Sequence, residues 1–95
     1  MRVRYTPGAF ADRERIFEYL RERSPSGARS VMASVRDAVM LLREQPYSGY
    51  KTDNPDVRVK FVIRYPYKIF YRVRGRVIEI VHIRHTSRQP RTGER

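Results

Sequence analysis

Among the basic side chains in the second half of the chain, six are candidates for binding or cleaving a phosphodiester. They are Arg58, Lys60, Arg64, Arg84, His85 and Arg88. Cleavage of RNA by internal attack of a 2′-OH needs no metal ion if arginine or lysine stabilises the charge of the phosphorane and a histidine moves the protons. The same cations can instead bind an anionic partner without any chemistry. The residue types leave both possibilities open.

The positive charge is concentrated in the same half. The 95 residues carry 21 Lys+Arg against 10 Asp+Glu, a net charge of +11. Residues 1–56 hold 10 basic and 8 acidic side chains, a net of +2, whereas residues 57–95 hold 11 and 2, a net of +9. Such a charge predicts an anionic partner, which can be nucleic acid, an acidic protein or an acidic membrane.

The composition also excludes some kinds of site. Because the chain has no cysteine, it has no disulfide framework, no thiolate nucleophile and no cysteine-based zinc site. His82 and His85 have no carboxylate cluster near them in the sequence, so neither a catalytic metal nor another cofactor is expected. His82 lies in the apolar run 77–83 and is predicted to be a core histidine. With short apolar runs and a polar start, the chain is expected to be cytoplasmic.

The periodicity predicts two helices after a first short strand. Arg2–Tyr5 alternates as a strand does, and Thr6-Pro7 and Ser24-Pro25 each combine an N-cap with a proline at the first helical position. Apolar residues at 3–4 spacing follow each start, and the Pro46–Gly49 segment ends the second helix. Because few residues separate the helices, they are predicted to form an antiparallel hairpin.

Three strands are predicted after the helices. Residues 57–64 alternate with Val57, Val59, Phe61 and Ile63 on the buried face, residues 68–73 form the next strand, and Gly75 makes a hairpin turn into 77–83. The order is β-α-α-β-β-β, an α+β fold with the helical hairpin packed on an antiparallel sheet. We predict one domain over residues 1–90 and a basic, disordered tail over 91–95.

The element order and several strings together resemble the RelE/ParE superfamily, the toxins of type II toxin–antitoxin modules. The resemblance covers the chain up to about Pro90, is closest to the ParE branch, and the length matches a complete toxin of this kind. The strings are Val3–Thr6 with Ala9, Ile16–Leu20, Pro46–Gly49, Val57-Arg58, Tyr65–Val73, and Ile83–His85 followed by Arg88.

The resemblance implies one of two activities. ParE-like toxins poison DNA gyrase and block replication, as plasmid-stabilisation modules do, and are neutralised by a ParD-type antitoxin whose acidic segment wraps the basic face in a hetero-oligomer. RelE-like toxins are endoribonucleases that cut messenger RNA on the ribosome. The ParE-like function is expected here, because no tyrosine follows His85 and residues 52–56 are acidic where RelE carries lysines.

The resemblance also implies roles for the basic residues. In the gyrase poison the target or the antitoxin would contact Arg58, Lys60, Arg64, Arg84 and Arg88. In the ribonuclease the catalytic set would be His85, Arg58, Arg84 and Arg88, with an arginine on the phosphate and His85 near the proton-transfer position.

The sequence pattern itself gives two further predictions. The arginines at 72, 74 and 76 are predicted to be a solubilising hairpin tip, and the tyrosines at 65, 67 and 71 to be core residues.

Overall fold

Two capped helices and five strands make up the computed structural model, which describes residues 1–87. The side chains of Thr6 and Ser24 accept hydrogen bonds from the backbone N–H groups of Ala9 and Gly27 and so cap the two helices, as predicted. The elements are β1 (Arg2–Tyr5), α1 (Pro7–Arg21), α2 (Pro25–Glu44), β2 (Tyr50–Lys51), β3 (Arg58–Phe61), β4 (Tyr67–Arg74) and β5 (Val77–His85).

The helical hairpin packs on one face of a five-stranded sheet of order β1-β5-β4-β3-β2, which confirms the α+β class. Antiparallel pairing links β2, β3, β4 and β5, but β1 lies parallel to β5. The sheet is therefore mixed, and the prediction of an antiparallel sheet was wrong for β1. Parallel neighbours need a long crossover, and everything from α1 to β4 serves as that connection. Neither helix within residues 1–87 is long and apolar enough to cross a membrane.

The strand predicted over residues 57–64 is shorter in the structure, where β3 spans only Arg58–Phe61. β3 ends at Phe61, and the next residues form a turn in which the N–H of Val62 donates to the carbonyl of Tyr67 at 2.9 Å. Val62 is buried, whereas Phe61 and Ile63 are 48% and 75% exposed. The predicted buried face was therefore wrong at Phe61 and Ile63. Phe61 ends β3 opposite Lys68, on the face away from the core residue Ile69, and Ile63 lies in the turn, where the two-residue period is broken. β2, with only two residues, showed no alternation and was not predicted.

A β-bulge in β5 changes the position of His82. Tyr71 lies opposite Ile80 and Phe70 opposite His82, so Val81 is an extra residue on β5. The buried side chains are consequently Ile80 and Ile83, and the side chain of His82 is 46% exposed. The prediction of a core histidine was wrong, because the bulge shifts the alternation that the apolar run suggested.

Tyr71 joins the core to the segment after α2. Its side chain is fully buried, its hydroxyl donates to the carbonyl of Pro46 at 2.8 Å, and it accepts from the N–H of Gly49 at 3.0 Å. Burial raises the pKa of the Tyr71 hydroxyl, which is a neutral donor. A Cβ at Gly49 would lie 2.6 Å from the hydroxyl oxygen, so only glycine permits this approach. The tyrosines predicted as core residues are buried at 67 and 71 and half-buried at 65.

We predict that Tyr71→Phe lowers the free energy of unfolding by about 1–3 kcal/mol, because the buried N–H of Gly49 and the partly buried carbonyl of Pro46 both lose their partner. Urea denaturation followed by circular dichroism measures the change. The matched control is Tyr47→Phe, since Tyr47 is 61% exposed, and it should cost less than about 0.5 kcal/mol. Equal stability of the two variants would contradict the anchoring role of Tyr71.

Candidate functional site

Arg58 and Lys60 on β3 bind the segment that Tyr71 anchors. Nη1 of Arg58 donates to the carbonyls of Gly49 at 3.0 Å and Tyr47 at 3.3 Å, and its guanidinium lies 5.2 Å from the centre of the Tyr47 ring. Nζ of Lys60 lies 3.2 Å from Oγ of Ser48. Both cations are half-buried, so their positions depend on the path of residues 46–49.

Arg64 lies in the turn after β3 and borders an apolar groove. Its φ of 78° is in the left-handed region, which turns the chain toward β4. The groove has a volume of about 470 Å³ and runs between α2 and the end of β3; we call it the α2–β3 groove. Its lining residues are Ser34, Asp37, Ala38, Leu41, Lys60, Phe61, Ile63 and Arg64.

A buried carboxylate on α1, that of Asp12, positions the end of β5. The pairing of β1 with β5 ends at Tyr5 opposite Ile80, which leaves the next part of the β5 edge without a strand partner. Oδ2 of Asp12 accepts the backbone N–H of Ile83 there at 3.0 Å. A buried N–H needs such an acceptor, and the helix supplies it in place of a strand.

The same carboxylate lies beside two arginines and a histidine. Oδ1 of Asp12 lies 2.5 Å from Nη2 of Arg15 and 3.4 Å from Nη1 of Arg84, and Oδ2 lies 3.5 Å from Nδ1 of His82. Asp12 was not among the predicted site residues. The signal that could have identified it is its place on the apolar stripe of α1, between Ala9 and Ile16 at 3–4 spacing.

Arg84 and His85 border a pocket between α1 and β5 of about 390 Å³, which we call the α1–β5 pocket. The His85 ring packs edge-on against Tyr67 with centroids 5.2 Å apart, and its Nδ1 accepts from the N–H of Ser87 at 3.2 Å. Cations thus surround an apolar and aromatic interior. The lining residues are Asp12, Arg15, Ile16, Tyr19, Tyr67, Ile83, Arg84 and His85.

The predicted site residues therefore fall into two places. Arg58, Lys60 and Arg64 lie on or just after β3, and Arg84 and His85 lie at the end of β5, with β4 between them. Two strand spacings separate β3 and β5, about 10 Å. Arg58 borders one pocket and Lys60 and Arg64 border the α2–β3 groove, whereas Arg84 and His85 border the α1–β5 pocket. Arg88 and the tail lie outside the described residues, and the roles of the others stay predictions.

A second buried carboxylate, that of Glu79, binds arginines that were predicted to be only a solubilising hairpin tip. Nε of Arg72 lies 2.6 Å and Nε of Arg74 3.6 Å from its Oε1, and Arg4 forms an ion pair with Oε2. In the part of the chain that the structure describes, no group of three or more His, Cys, Asp or Glu side chains is placed to hold a metal ion.

Comparison with known proteins identifies one family. The family model described as the ParE toxin of the type II toxin–antitoxin system parDE matches residues 3–90. A solved structure of the chromosomal ParDE toxin–antitoxin system from P. aeruginosa is 24% identical in sequence and superposes with a TM-score of 0.81, covering 92% of this chain and 97% of that chain. At this identity the superposition shows the fold alone. No curated protein matches the chain in sequence.

We predict that Asp12→Asn lowers the free energy of unfolding by about 1–3 kcal/mol, since a carboxamide accepts the Ile83 N–H less strongly and leaves Arg15 and Arg84 without a counter-charge. Thermal or urea denaturation measures the loss. Asp37→Asn is the control, because the Asp37 side chain is 77% exposed and its ion pair with Arg36 is long at 3.9 Å. A stability change in Asp12→Asn as small as that of the control would show that the carboxylate is not a structural hub.

Proposed function

The chain belongs to the ParE toxin family of type II toxin–antitoxin systems, and from this premise we propose that it binds and poisons DNA gyrase. Replication is then blocked until a ParD-type antitoxin covers the toxin. The family match supports the toxin and the presence of an antitoxin partner. Gyrase as the target and the ParD type of the antitoxin are the parts that we propose.

The arrangement of the basic residues favours binding over cleavage. Phosphodiester cleavage needs the charge-stabilising and proton-moving groups around one reacting atom, yet Arg58 lies on β3 and Arg84 and His85 lie two strands away. A protein interface has no such requirement. It buries about 800 Å² on each partner, so it can include residues about 10 Å apart. This separation is the observation that carries the proposal of a binding toxin.

The α2–β3 groove supports an antitoxin with an acidic, amphipathic segment. Leu41, Phe61 and Ile63 are between 40% and 75% exposed, which leaves apolar surface that a partner can bury. Lys60 and Arg64 stand at the rim of that surface. A disordered segment that folds on binding could place apolar side chains in the groove and carboxylates at its rim.

A second candidate function, a RelE-like ribonuclease, is favoured by the α1–β5 pocket alone. Arg84 and His85 line it together with Arg15, and the ring of Tyr19, which is 41% exposed, is one on which a base could stack. In that function an arginine holds the phosphate and His85 moves a proton. The pocket contains neither Arg58 nor Lys60, so this candidate uses only part of the basic set.

We predict that the purified toxin inhibits DNA supercoiling by gyrase and traps a cleavage complex at about micromolar concentration, as gel electrophoresis of plasmid DNA would show. Adding the antitoxin encoded beside the toxin should restore supercoiling. The His85→Ala variant should inhibit gyrase as the wild type does. The ribonuclease would replace this proposal if three results were found. Gyrase would keep full activity in the presence of the toxin, the wild type would cut messenger RNA in a translating extract, and His85→Ala would leave that RNA intact.

We predict that Ile63→Asp weakens binding of the antitoxin at least about tenfold, because a charge then stands in the apolar groove and next to an acidic partner. Calorimetric titration of the purified toxin measures the dissociation constant. Ile63 is 75% exposed, so the substitution should not affect folding. Phe10→Asp is the matched control, since Phe10 is an exposed apolar residue outside the groove. Equal affinity of both variants would exclude the groove as the antitoxin site.

A further inference from the structure

Four arginines lie on the face of the sheet that points away from the helices, and three of them, Arg4, Arg72 and Arg74, form ion pairs with Glu79. In the strand register, Arg4 and Arg72 lie on either side of Glu79. Two positions further along, Arg2 and Arg74 lie on either side of Val77. We call Arg2, Arg4, Arg72 and Arg74 the arginine tetrad.

The alternation of the strands shows which face carries the tetrad. Val3 and Ile78 belong to the core or pack against it, and Tyr71 and Val73 do the same on β4. Successive residues of a strand point to opposite faces, so the arginines between them lie on the outer face. Residues two apart on a strand are about 7 Å apart, and β1 and β4 are about 10 Å apart across β5. The tetrad is thus a flat grid of four cations.

Glu79 holds this grid in place. Its side chain is only 4% exposed, while those of Arg4 and Arg74 are 63% and 64% exposed and that of Arg72 is 30% exposed. Since a buried carboxylate needs cationic partners, the guanidinium groups of Arg4, Arg72 and Arg74 are held at the surface around it, and Arg2 lies beside them in the strand register. One carboxylate against four arginines leaves three net positive charges. Arg72 donates to Glu79 through Nε alone, which uses one of the five N–H donors of its guanidinium, and Arg74 forms only an ion pair at 3.6 Å.

We propose that the arginine tetrad is a binding site for the phosphodiester backbone of duplex DNA. A guanidinium matches the geometry of a phosphate with two parallel N–H donors, and interfaces with DNA are polar and strongly positive. Protein interfaces depend instead on buried aromatic or aliphatic anchors, and single strands bind by stacking on aromatic rings. The tetrad, with Val77 and Glu79 between its members, contains no ring and no large aliphatic side chain.

Binding at the tetrad is independent of base sequence and of gyrase. Phosphate contacts position a protein on DNA without reading bases. The site lies at the end of the sheet where β1 and β5 begin and β4 ends, away from Arg84 and His85 at the other end of β5. A toxin held on duplex DNA in this way meets a DNA-bound target by moving along the same molecule. The site can be measured with the toxin alone, so failure of the gyrase proposal leaves it testable.

The experiment measures fluorescence anisotropy of a labelled duplex of about 20 base pairs with the full-length protein at several NaCl concentrations. The test variant is Arg2→Ala with Arg74→Ala, which keeps Arg4 and Arg72 on Glu79 and so preserves the fold. Loss of two phosphate contacts should reduce the slope of log K against log [NaCl] by about 1.8 and weaken binding on the order of 50-fold at about 0.1 M NaCl. Arg2→Lys with Arg74→Lys should retain the wild-type slope, because the charges remain.

The matched control is Arg29→Ala with Arg36→Ala, which removes the same charge from α2 on the opposite side of the sheet. Its slope should stay within about 0.5 of the wild-type slope. Equal effects of the control and test variants would overturn the site, because total charge alone would then explain binding. The proposal would also be overturned if the protein bound a single strand or a polyglutamate peptide more tightly than the duplex, and if that binding depended on Arg2 and Arg74 in the same way.

Discussion

The contact between Asp12 and the N–H of Ile83 is the interaction on which the layout of this domain depends. β1 is too short to cover the whole edge of β5, so the open part of that edge needs an acceptor from elsewhere. α1 supplies it as a buried carboxylate, and the helical layer is thereby tied to the sheet at one place. The charge of the carboxylate then orders Arg15 and Arg84 around it. The carboxylate that makes the structural hydrogen bond therefore also positions the basic side chain of Arg84.

Buried anions organise the basic surface of the molecule. Asp12 and Glu79 are its buried charged side chains within residues 1–87, and each binds more than one arginine. Because a buried charge is costly without partners, each carboxylate keeps its arginines near one place at the surface. Tyr71 positions Arg58 without a charge of its own. Its hydroxyl accepts from the N–H of Gly49, and the carbonyl of Gly49 accepts a hydrogen bond from Arg58. The three anchors create three separate basic or mixed surfaces.

Separate surfaces would allow one small toxin to bind the different partners that we propose. The α2–β3 groove combines apolar surface with two cations, the α1–β5 pocket combines rings with cations, and the arginine tetrad is purely polar. The chemistry of each suits the kind of ligand proposed for it: a folding acidic segment for the groove, a nucleotide for the pocket and a phosphate backbone for the tetrad. A charge of +9 over residues 57–95 does not distinguish these surfaces, because it adds together cations that point in different directions.

The sequence alone determined the helical hairpin, the approximate strands and the family, since N-caps, prolines, the 3–4 spacing on α2 and the glycine turn at Gly75 are local signals. The parallel pairing of β1, the exposure of Phe61 and Ile63, and the position of His82 beside a bulge became known from the three-dimensional structure. Each of these features depends on which strand or turn packs next to the residue. The same is true of Asp12 and Glu79. Asp12 binds Arg84, and Glu79 binds Arg4 and Arg72. No local sequence pattern indicated these contacts, because Arg84 and Arg4 lie far along the chain from their carboxylates and Arg72 lies on a neighbouring strand.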